Sequence, residues 1–399
     1  MQTACTLAAQ IEERLLMRNE IIETFFFEQA LPLAEACREM SERFQSGGRL
    51  LAFGRGPCST DAQHVSVEFV HPVIVGKRAL PALDLSALIR PWLDTILRPE
   101  DIVMGFGPPA GDPEVWAALD SAHARGAMTF ALPGPSGSYA LKSPTQDHFI
   151  HQELVEIFYH TLWETVHVFL EHRELGQDVG QTEFLYPFLG QKKQETASLV
   201  NDVAASIQLK VRDDTGLRTR LAAEQSEQIG AAALAIRERL SRGGKLILFG
   251  NGGSATDAND FAMDCVLPPE GYKPIPAISL SMEPANITAL ANDVGTEVIF
   301  LRQLMAQGRP EDVAVGISTS GGSRNIVMAM EEARKRNLLT VALLGNDGGE
   351  IFRRGLAEHP IIVRSDYIPR IQEVQASAYH VLREMLEVEK LEVLTHGNA

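Results

Sequence analysis

Residues 243–258 read GGKLILFGNGGSATDA, and residues 47–62 read GGRLLAFGRGPCSTDA. The chain therefore contains the same segment twice, 196 residues apart. In both segments an apolar run follows a Gly-Gly pair and ends at another glycine, before a second glycine-containing stretch. Such a run predicts a buried β-strand that leads through a glycine-rich loop into a helix.

The repeat continues on both sides of this segment. Residues 99–105 (PEDIVMG) match residues 310–316 (PEDVAVG) at an offset of 211. A Gln and a His eight residues apart occur as Gln152 and His160, and again as Gln372 and His380 at an offset of 220. A slowly growing offset indicates one duplicated domain with small insertions in one copy.

Each copy begins with a long helical pattern, from Leu7 to Phe44 and from Ala197 to Leu240. Pro32 predicts an interruption of the first pattern, and residues 213–216 predict a break in the second. Short apolar runs then alternate with helical patterns, which is typical of a parallel sheet covered on both faces. The predicted fold class is α/β, with two doubly wound, flavodoxin-like domains and long N-terminal helices.

A chain of 399 residues fits two domains of ordinary size. We predict domains at residues 1–175 and 191–399, joined by a polar, glycine-containing linker at residues 176–190. The four cysteines show no CxxC spacing, and the chain has no signal-peptide pattern and no run of eighteen apolar residues. We therefore expect a cytoplasmic protein with reduced thiols.

The net charge of −16 disfavours nonspecific binding to nucleic acid or to an anionic membrane. It does not exclude a small phosphate, which needs only a local cluster of donors. We expect no nucleic-acid partner and no membrane partner.

A serine-rich loop lies between a predicted strand and a predicted helix at residues 317–323, ISTSGGS. Hydroxyls, backbone N–H groups and the helix dipole can converge there on an anion. A Ser/Gly-rich turn with an N-cap serine is the simpler alternative. The second glycine-rich loop, FGNGGS at residues 249–254, also follows a strand, and two such loops in one parallel sheet favour a phosphorylated ligand. A dinucleotide fold is disfavoured because the GxGxxG spacing is absent, so no nucleotide cofactor is expected.

These motifs, together with ALANDVG, LLGNDGG and RIQEV, resemble the sugar isomerase (SIS) superfamily, and within it the phosphoheptose isomerases. The resemblance covers nearly all of residues 195–390 and, more weakly, residues 5–170. It implies an aldose–ketose isomerase that acts on sedoheptulose 7-phosphate or a similar sugar phosphate through an enediol. The substrate-binding positions implied in the second copy are Asn251, Gly252, Ser254, Glu283, Ser318, Thr319, Ser320, Ser323 and Gln372. Glu283 stands where the family has an aspartate.

The resemblance also implies a divalent metal, with zinc favoured by the donor types. The family's His and Glu four apart and Gln and His eight apart are all present in the first copy, as His64, Glu68, Gln152 and His160. A single His–Glu pair at this spacing is more often a surface contact, but four matches on two helices favour a metal site. The equivalents in the second copy are Asp260, Asp264, Gln372 and His380, which form either an altered metal site or a lapsed one.

The first copy has lost the serine loop, since GPPAGD stands at residues 107–112. Two prolines remove N–H donors, and Asp112 would repel an anion. Division of labour is therefore one hypothesis, in which the second copy holds the phosphate and the first supplies metal and acid/base groups. The other confines catalysis to the second copy. The resemblance implies Glu68 or Asp264 as the base and His160 or His380 as the acid, and confinement to the second copy leaves Asp264 and His380.

Family members are homotetramers, so a tandem chain implies a homodimer that forms a pseudo-tetramer of SIS domains. The rival function is that of a noncatalytic regulator, either a sugar-phosphate sensor or a partner of the replication initiator of the DiaA type. The complete four-residue set of the first copy favours the enzyme.

Overall fold

The computed structural model describes residues 4–72, 77–174 and 196–387. Its helices are α1 (Ala4–Gln45), α2 (Ser59–Val70), α3 (Ile89–Ile96), α4 (Pro113–Ala124), α5 (His148–Glu174), α6 (Thr196–Ser241), α7 (Gly253–Val266), α8 (Pro284–Asp293), α9 (Ile299–Gln307), α10 (Arg324–Lys335), α11 (Gly349–Arg353) and α12 (Ile368–Met385). Its strands are β1 (Leu50–Gly54), β2 (Ala82–Asp84), β3 (Ile102–Phe106), β4 (Met128–Leu132), β5 (Tyr139–Ala140), β6 (Leu246–Phe249), β7 (Ala277–Ser279), β8 (Val313–Ser318), β9 (Leu339–Gly345) and β10 (His359–Val363).

The strands form two parallel sheets with the same topology. The first sheet has the order β2-β1-β3-β4-β5, and the second has the order β7-β6-β8-β9-β10. In both, the central strands are buried along their whole length, because helices cover both faces. This strand order is that of the flavodoxin-like doubly wound fold, so the predicted fold class is confirmed.

The two long helices are continuous, and both predicted interruptions are wrong. Pro32 lies inside α1, and residues 213–216 lie inside α6. The proline removes one backbone hydrogen bond, but its neighbours Leu33 and Ala34 are completely buried. Burial along such a helix outweighs one poor position, since packing supplies most helical stability in proteins. None of the described helices has the length and hydropathy needed to cross a bilayer.

The chain divides into two compact units whose bounds follow packing rather than the repeat. One unit is Asn19–Thr215, and the other combines Met1–Arg18 with Gly216–Ala399. Each unit thus includes the first part of the long helix that begins the other repeat. The domain bounds predicted from the repeat stay a prediction, and the predicted linker at residues 176–190 lies outside the described residues.

Equivalent ion pairs hold these exchanged helical segments within each unit. Arg14 of α1 pairs with Glu384 of α12 at 2.9 Å. Lys210 of α6 pairs with Glu164 of α5, and both side chains are buried. Arg14 and Lys210 are 196 residues apart, the offset of the repeat, so the duplication preserved this contact along with the fold.

Candidate functional site

The serine loop connects the end of β8 to the start of α10 at the carboxyl edge of the second sheet. The hydroxyl of Ser318 accepts a hydrogen bond from the Gly321 N–H (3.1 Å), and that of Ser320 accepts one from the Gly322 N–H (3.3 Å). Ser323 is the N-cap residue, yet its side chain makes no capping bond among the described residues. The helix start is therefore not closed by its own N-cap side chain, and Ser320 is exposed beside it.

The backbone of this loop depends on Gly321. Its φ is +60°, in the left-handed region, and a Cβ atom there would lie 2.1 Å from the carbonyl oxygen of Gly348. The close approach packs the loop against the turn that follows β9. A side chain at this position would displace the loop and its hydroxyls together.

The glycine-rich loop lies beside the serine loop because β6 and β8 are adjacent. Phe249 at the end of β6 is paired with Gly316 of β8. Ser281 anchors the glycine loop, since its hydroxyl donates to the Gly250 carbonyl (3.1 Å) and accepts from the Gly250 N–H (3.3 Å). In this strand order the two loops lie at the switch point where ligands of doubly wound folds bind.

Asn251 and Asn325 connect these two loops through their side chains. The Nδ2 of Asn251 donates to Oδ1 of Asn325 at 2.9 Å, and the Nδ2 of Asn325 donates to Oδ1 of Asn251 at 2.8 Å. The motifs quoted from the sequence do not include Asn325. The signal that identifies it is a joint change between the copies, because Arg55 and Glu114 occupy the equivalent positions in the first.

The remaining residues predicted to bind substrate are placed as follows. Gly252 is the N-cap of α7 with φ +56°, and Ser254 is buried in the first turn of that helix. Glu283 is exposed at the N-cap of α8, and Gln372 is buried on α12. Their roles, like those of Thr319 and the serines, stay predictions.

The first copy closes its equivalent helix start with its own carboxylate. Asp112 is the N-cap of α4, and its Oδ1 accepts from the N–H groups of Glu114 (2.8 Å) and Val115 (3.2 Å). Arg55 pairs with the same carboxylate at 3.1 Å. A carboxylate thus occupies the start of α4, whereas no N-cap side chain occupies the start of α10 among the described residues.

Three of the four predicted metal ligands of the first copy converge. His64 and Glu68 on α2 and His160 on α5 are buried, and their ligand atoms lie within 4.8 Å of one another. The Nε2 atoms of the two histidines are 3.4 Å apart, and Nε2 of His64 is 3.9 Å from Oε1 of Glu68. Gln152 is also buried on α5, where its Nε2 lies 3.4 Å from Oγ1 of Thr60. Its place in a metal site stays a prediction.

Burial dominates the electrostatics of Glu68. Burial, and to a lesser extent the negative charge of Glu164, together raise the pKa of the carboxyl to about 8. Lys210 pairs with Glu164 and offsets part of that charge. A carboxyl with a pKa near neutrality can accept and release a proton at physiological pH.

The donor set of this cluster fits a divalent metal. Two imidazoles and a carboxylate are the ligand types of zinc and similar ions. Oε2 of Glu68 is buried without a hydrogen-bond partner in the described part of the chain. An uncompensated buried carboxylate is costly, and a cation bound between these side chains would remove that cost.

The second copy has a different cluster at the equivalent place. Asp260 and Asp264 on α7 surround His380 on α12, whose Nε2 lies 3.4 Å and 3.2 Å from their Oδ2 atoms. The hydroxyl of Tyr379 donates to Oδ2 of Asp260 at 2.7 Å. Burial and the neighbouring Asp260 raise the pKa of Asp264. Tyr379 thus bonds Asp260, whereas both carboxylate oxygens of Asp264 are buried without a hydrogen-bond partner in the described part of the chain. This set also has metal-ligand geometry.

The raised pKa of Glu68 predicts that metal-free protein loses stability with rising pH. The pKa in an unfolded chain is about 4.5 and in the fold about 8, so the folded state binds the extra proton between these values. Unfolding becomes easier across that window by up to about 1.4 kcal/mol per pH unit, and the contribution is constant above it. Thermal unfolding is measured with chelator at pH 5, 6.5 and 8. As the pH rises, the midpoint of the unsubstituted protein should fall relative to that of Glu68→Gln. A constant difference between the two proteins would contradict this.

Comparison with known proteins agrees with the fold. An SIS domain model matches residues 212–345, which contain the glycine-rich loop and the serine loop of the second copy. The chain is 41% identical over 196 residues to a phosphoheptose isomerase from Alteromonas mediterranea, covering 48% of this chain and 98% of that protein. It is 39% identical over 186 residues to a phosphoheptose isomerase from Leptospira biflexa, covering 46% of this chain and 94% of the relative. The fold and the site define an SIS-domain protein, and the chain belongs to the phosphoheptose isomerase family.

A solved structure is similar over nearly the whole chain. It is the C-terminal domain of glucosamine-fructose-6-phosphate aminotransferase from Francisella tularensis, with a TM-score of 0.59 over 95% of this chain and 96% of that chain. The sequences are 8% identical, so the likeness is one of fold alone.

Proposed function

We propose that the protein is an aldose–ketose isomerase of sedoheptulose 7-phosphate or a sugar phosphate of similar length. In this proposal the second copy holds the phosphate, the first supplies the acid/base groups, and the chain acts as a homodimer with four SIS domains. The observation that carries the proposal is the buried convergence of His64, Glu68 and His160 in a copy that has lost its anion loop. A scaffold gains nothing from a costly buried cluster of this kind.

The serine loop is the proposed phosphate site. Its open helix start offers N–H groups and a positive dipole end to a monoester, and Ser318, Thr319, Ser320 and Ser323 add hydroxyl donors. The first copy cannot compete for the same ligand, because Asp112 already caps its helix. We therefore expect one phosphate site per chain, in the second copy.

The proposed chemistry is proton transfer between neighbouring carbons through a cis-enediol. Glu68 removes the proton from the carbon beside the carbonyl, and His160 moves a proton at the oxygen. Each such group contributes roughly 10²–10⁴-fold to the rate. The raised pKa of Glu68 suits a base that must release its proton again at the neighbouring carbon.

His64, Glu68, Gln152 and His160 would hold the metal ion. When bound, a divalent ion polarises the carbonyl and hydroxyl oxygens of such a substrate. The chain's own contribution is to place the proton-transfer groups in a buried site from which water is excluded.

The direct test is incubation of the purified protein with sedoheptulose 7-phosphate and Zn²⁺, with the heptose phosphates resolved by NMR. We expect conversion to an aldose isomer with exchange of one carbon-bound hydrogen for solvent deuterium. Binding of the sugar phosphate without product or exchange would instead indicate a noncatalytic phosphosugar-binding regulator. Absence of both binding and turnover would exclude the proposal.

Metal content should depend on the first copy. Purified protein is expected to contain about one Zn²⁺ per chain, and His64→Ala should lower this at least about tenfold, since removing one of few ligands weakens such sites strongly. Elemental analysis after dialysis measures it, and the thermal midpoint should fall when chelator removes the metal. Asp260→Asn in the second copy is the matched control and should leave the zinc content unchanged. Loss of metal from the Asp260 variant alone would assign the site to the other copy.

A further inference from the structure

We propose that Asn325 is a positioning residue, which orients the Asn251 carboxamide so that one N–H and one carbonyl lone pair of Asn251 face a sugar hydroxyl. The inference rests on the proposed function and adds to it the group that distinguishes a sugar phosphate from a bare phosphate.

The pair lies where a ligand held by the serine loop would extend. Asn251 follows Gly250, the first residue after β6, and Asn325 is the second residue of α10, which begins directly after the serine loop. Asn251 is exposed, whereas Asn325 is partly buried. Their two mutual hydrogen bonds fix the position of the exposed amide relative to the phosphate loop.

The orientation of both amides follows from one backbone group. The N–H of Ile326 donates to Oδ1 of Asn325 at 2.9 Å, and a backbone N–H can only donate. The oxygen of Asn325 must therefore lie on that side, and its Nδ2 must face Oδ1 of Asn251. Asn251 is locked in the complementary orientation, with its own Nδ2 toward Asn325.

The hydrogen bonds that remain on Asn251 suit a hydroxyl rather than a phosphate. A carboxamide has two N–H donors and two lone pairs, and the pair with Asn325 uses one of each. The remaining N–H can donate to a sugar hydroxyl and the remaining lone pair can accept from one, because a hydroxyl both donates and accepts. An ionised phosphate oxygen only accepts, so it gains nothing from the free lone pair.

The first copy provides an internal comparison. Arg55 and Glu114 stand at the equivalent positions and form an ion pair at 3.2 Å between the same two loops. The first copy therefore keeps a connection between the two loops although it lacks the side-chain hydroxyls of the serine loop. A guanidinium only donates and a carboxylate only accepts, so this version retains the connection without a group that does both.

The test compares the affinities of sedoheptulose 7-phosphate and inorganic phosphate, measured by calorimetry on the full chain. Asn325→Ala should weaken sugar-phosphate binding about tenfold, the loss expected for a misplaced pair of hydrogen bonds, and leave phosphate binding within about twofold. Asn251→Ala combined with Asn325→Ala should bind no more weakly than Asn251→Ala alone, since Asn325 acts through Asn251.

A second variant copies the first-copy pair into the second copy, as Asn251→Arg with Asn325→Glu. It should keep the thermal midpoint within about 2 °C, lose sugar-phosphate affinity about tenfold and not lose phosphate affinity. Equal weakening of both ligands by Asn325→Ala, or unchanged sugar-phosphate binding in either variant, would overturn the positioning role and leave the proposed function standing. Native protein that binds phosphate but not sedoheptulose 7-phosphate would overturn both.

Discussion

Glu68→Gln is expected to lower the turnover of sedoheptulose 7-phosphate at least about 10³-fold while its affinity for the sugar phosphate changes little. Glutamine preserves the volume of a side chain that is 1% exposed, so packing around α2 and α5 is retained. It removes the carboxylate that takes the proton, and general acid–base groups of this kind contribute roughly 10²–10⁴-fold. NMR of the isomerisation gives the rate, and calorimetry gives the affinity.

Asp264→Asn is the matched control for this prediction, because Asp264 lies at the equivalent position of the second copy. It should retain turnover if the chemistry belongs to the first copy. Metal content measured on the same samples separates loss of the base from loss of the ion. Full activity in Glu68→Gln with an inactive Asp264→Asn would assign the reaction to the second copy.

Ser320→Asp is expected to reduce sugar-phosphate affinity at least about 100-fold. The side chain is exposed at the open start of α10, so the substitution leaves the core intact and places a carboxylate at the predicted phosphate position. Repulsion between like charges at about 4 Å amounts to a few kcal/mol near a protein surface, and the new carboxylate also competes for the N–H groups. Calorimetry with sedoheptulose 7-phosphate measures the loss.

Two controls define this result. Ser320→Ala removes only the hydroxyl and should cost about tenfold or less. Pro109→Asp makes the corresponding change at the equivalent position of the first copy, where Asp112 already caps the helix, and should have no effect on affinity. Unchanged affinity in Ser320→Asp would refute the assignment of the serine loop.

The fold could be predicted because its signals are local and occur twice. The strands around residues 47–54 and 243–250 are short apolar runs between glycines, and the structure has strands β1 and β6 there. The helix interruptions predicted at Pro32 and residues 213–216 are wrong because local propensity was overruled by burial along α1 and α6.

The candidate site was predictable only where a family motif marks it. The spacing of His64 with Glu68 places both on one face of α2, so their proximity to each other follows from helix geometry. Asn325 lies outside the motifs quoted from the sequence, so its identification required the coordinates that place it beside Asn251. The coordinates were likewise needed to show that Asp112, predicted to repel an anion, caps the start of α4.

The sequence by itself determined the duplication, the parallel α/β architecture and the unequal division of chemical groups between the copies. Each of these features can be recognised from short stretches of sequence. Only the tertiary structure decided that His64, Glu68 and His160 meet, and that each compact unit takes the first helical segment of the other repeat. Both depend on contacts between residues far apart in the chain, which form when helices bury their apolar faces against a sheet.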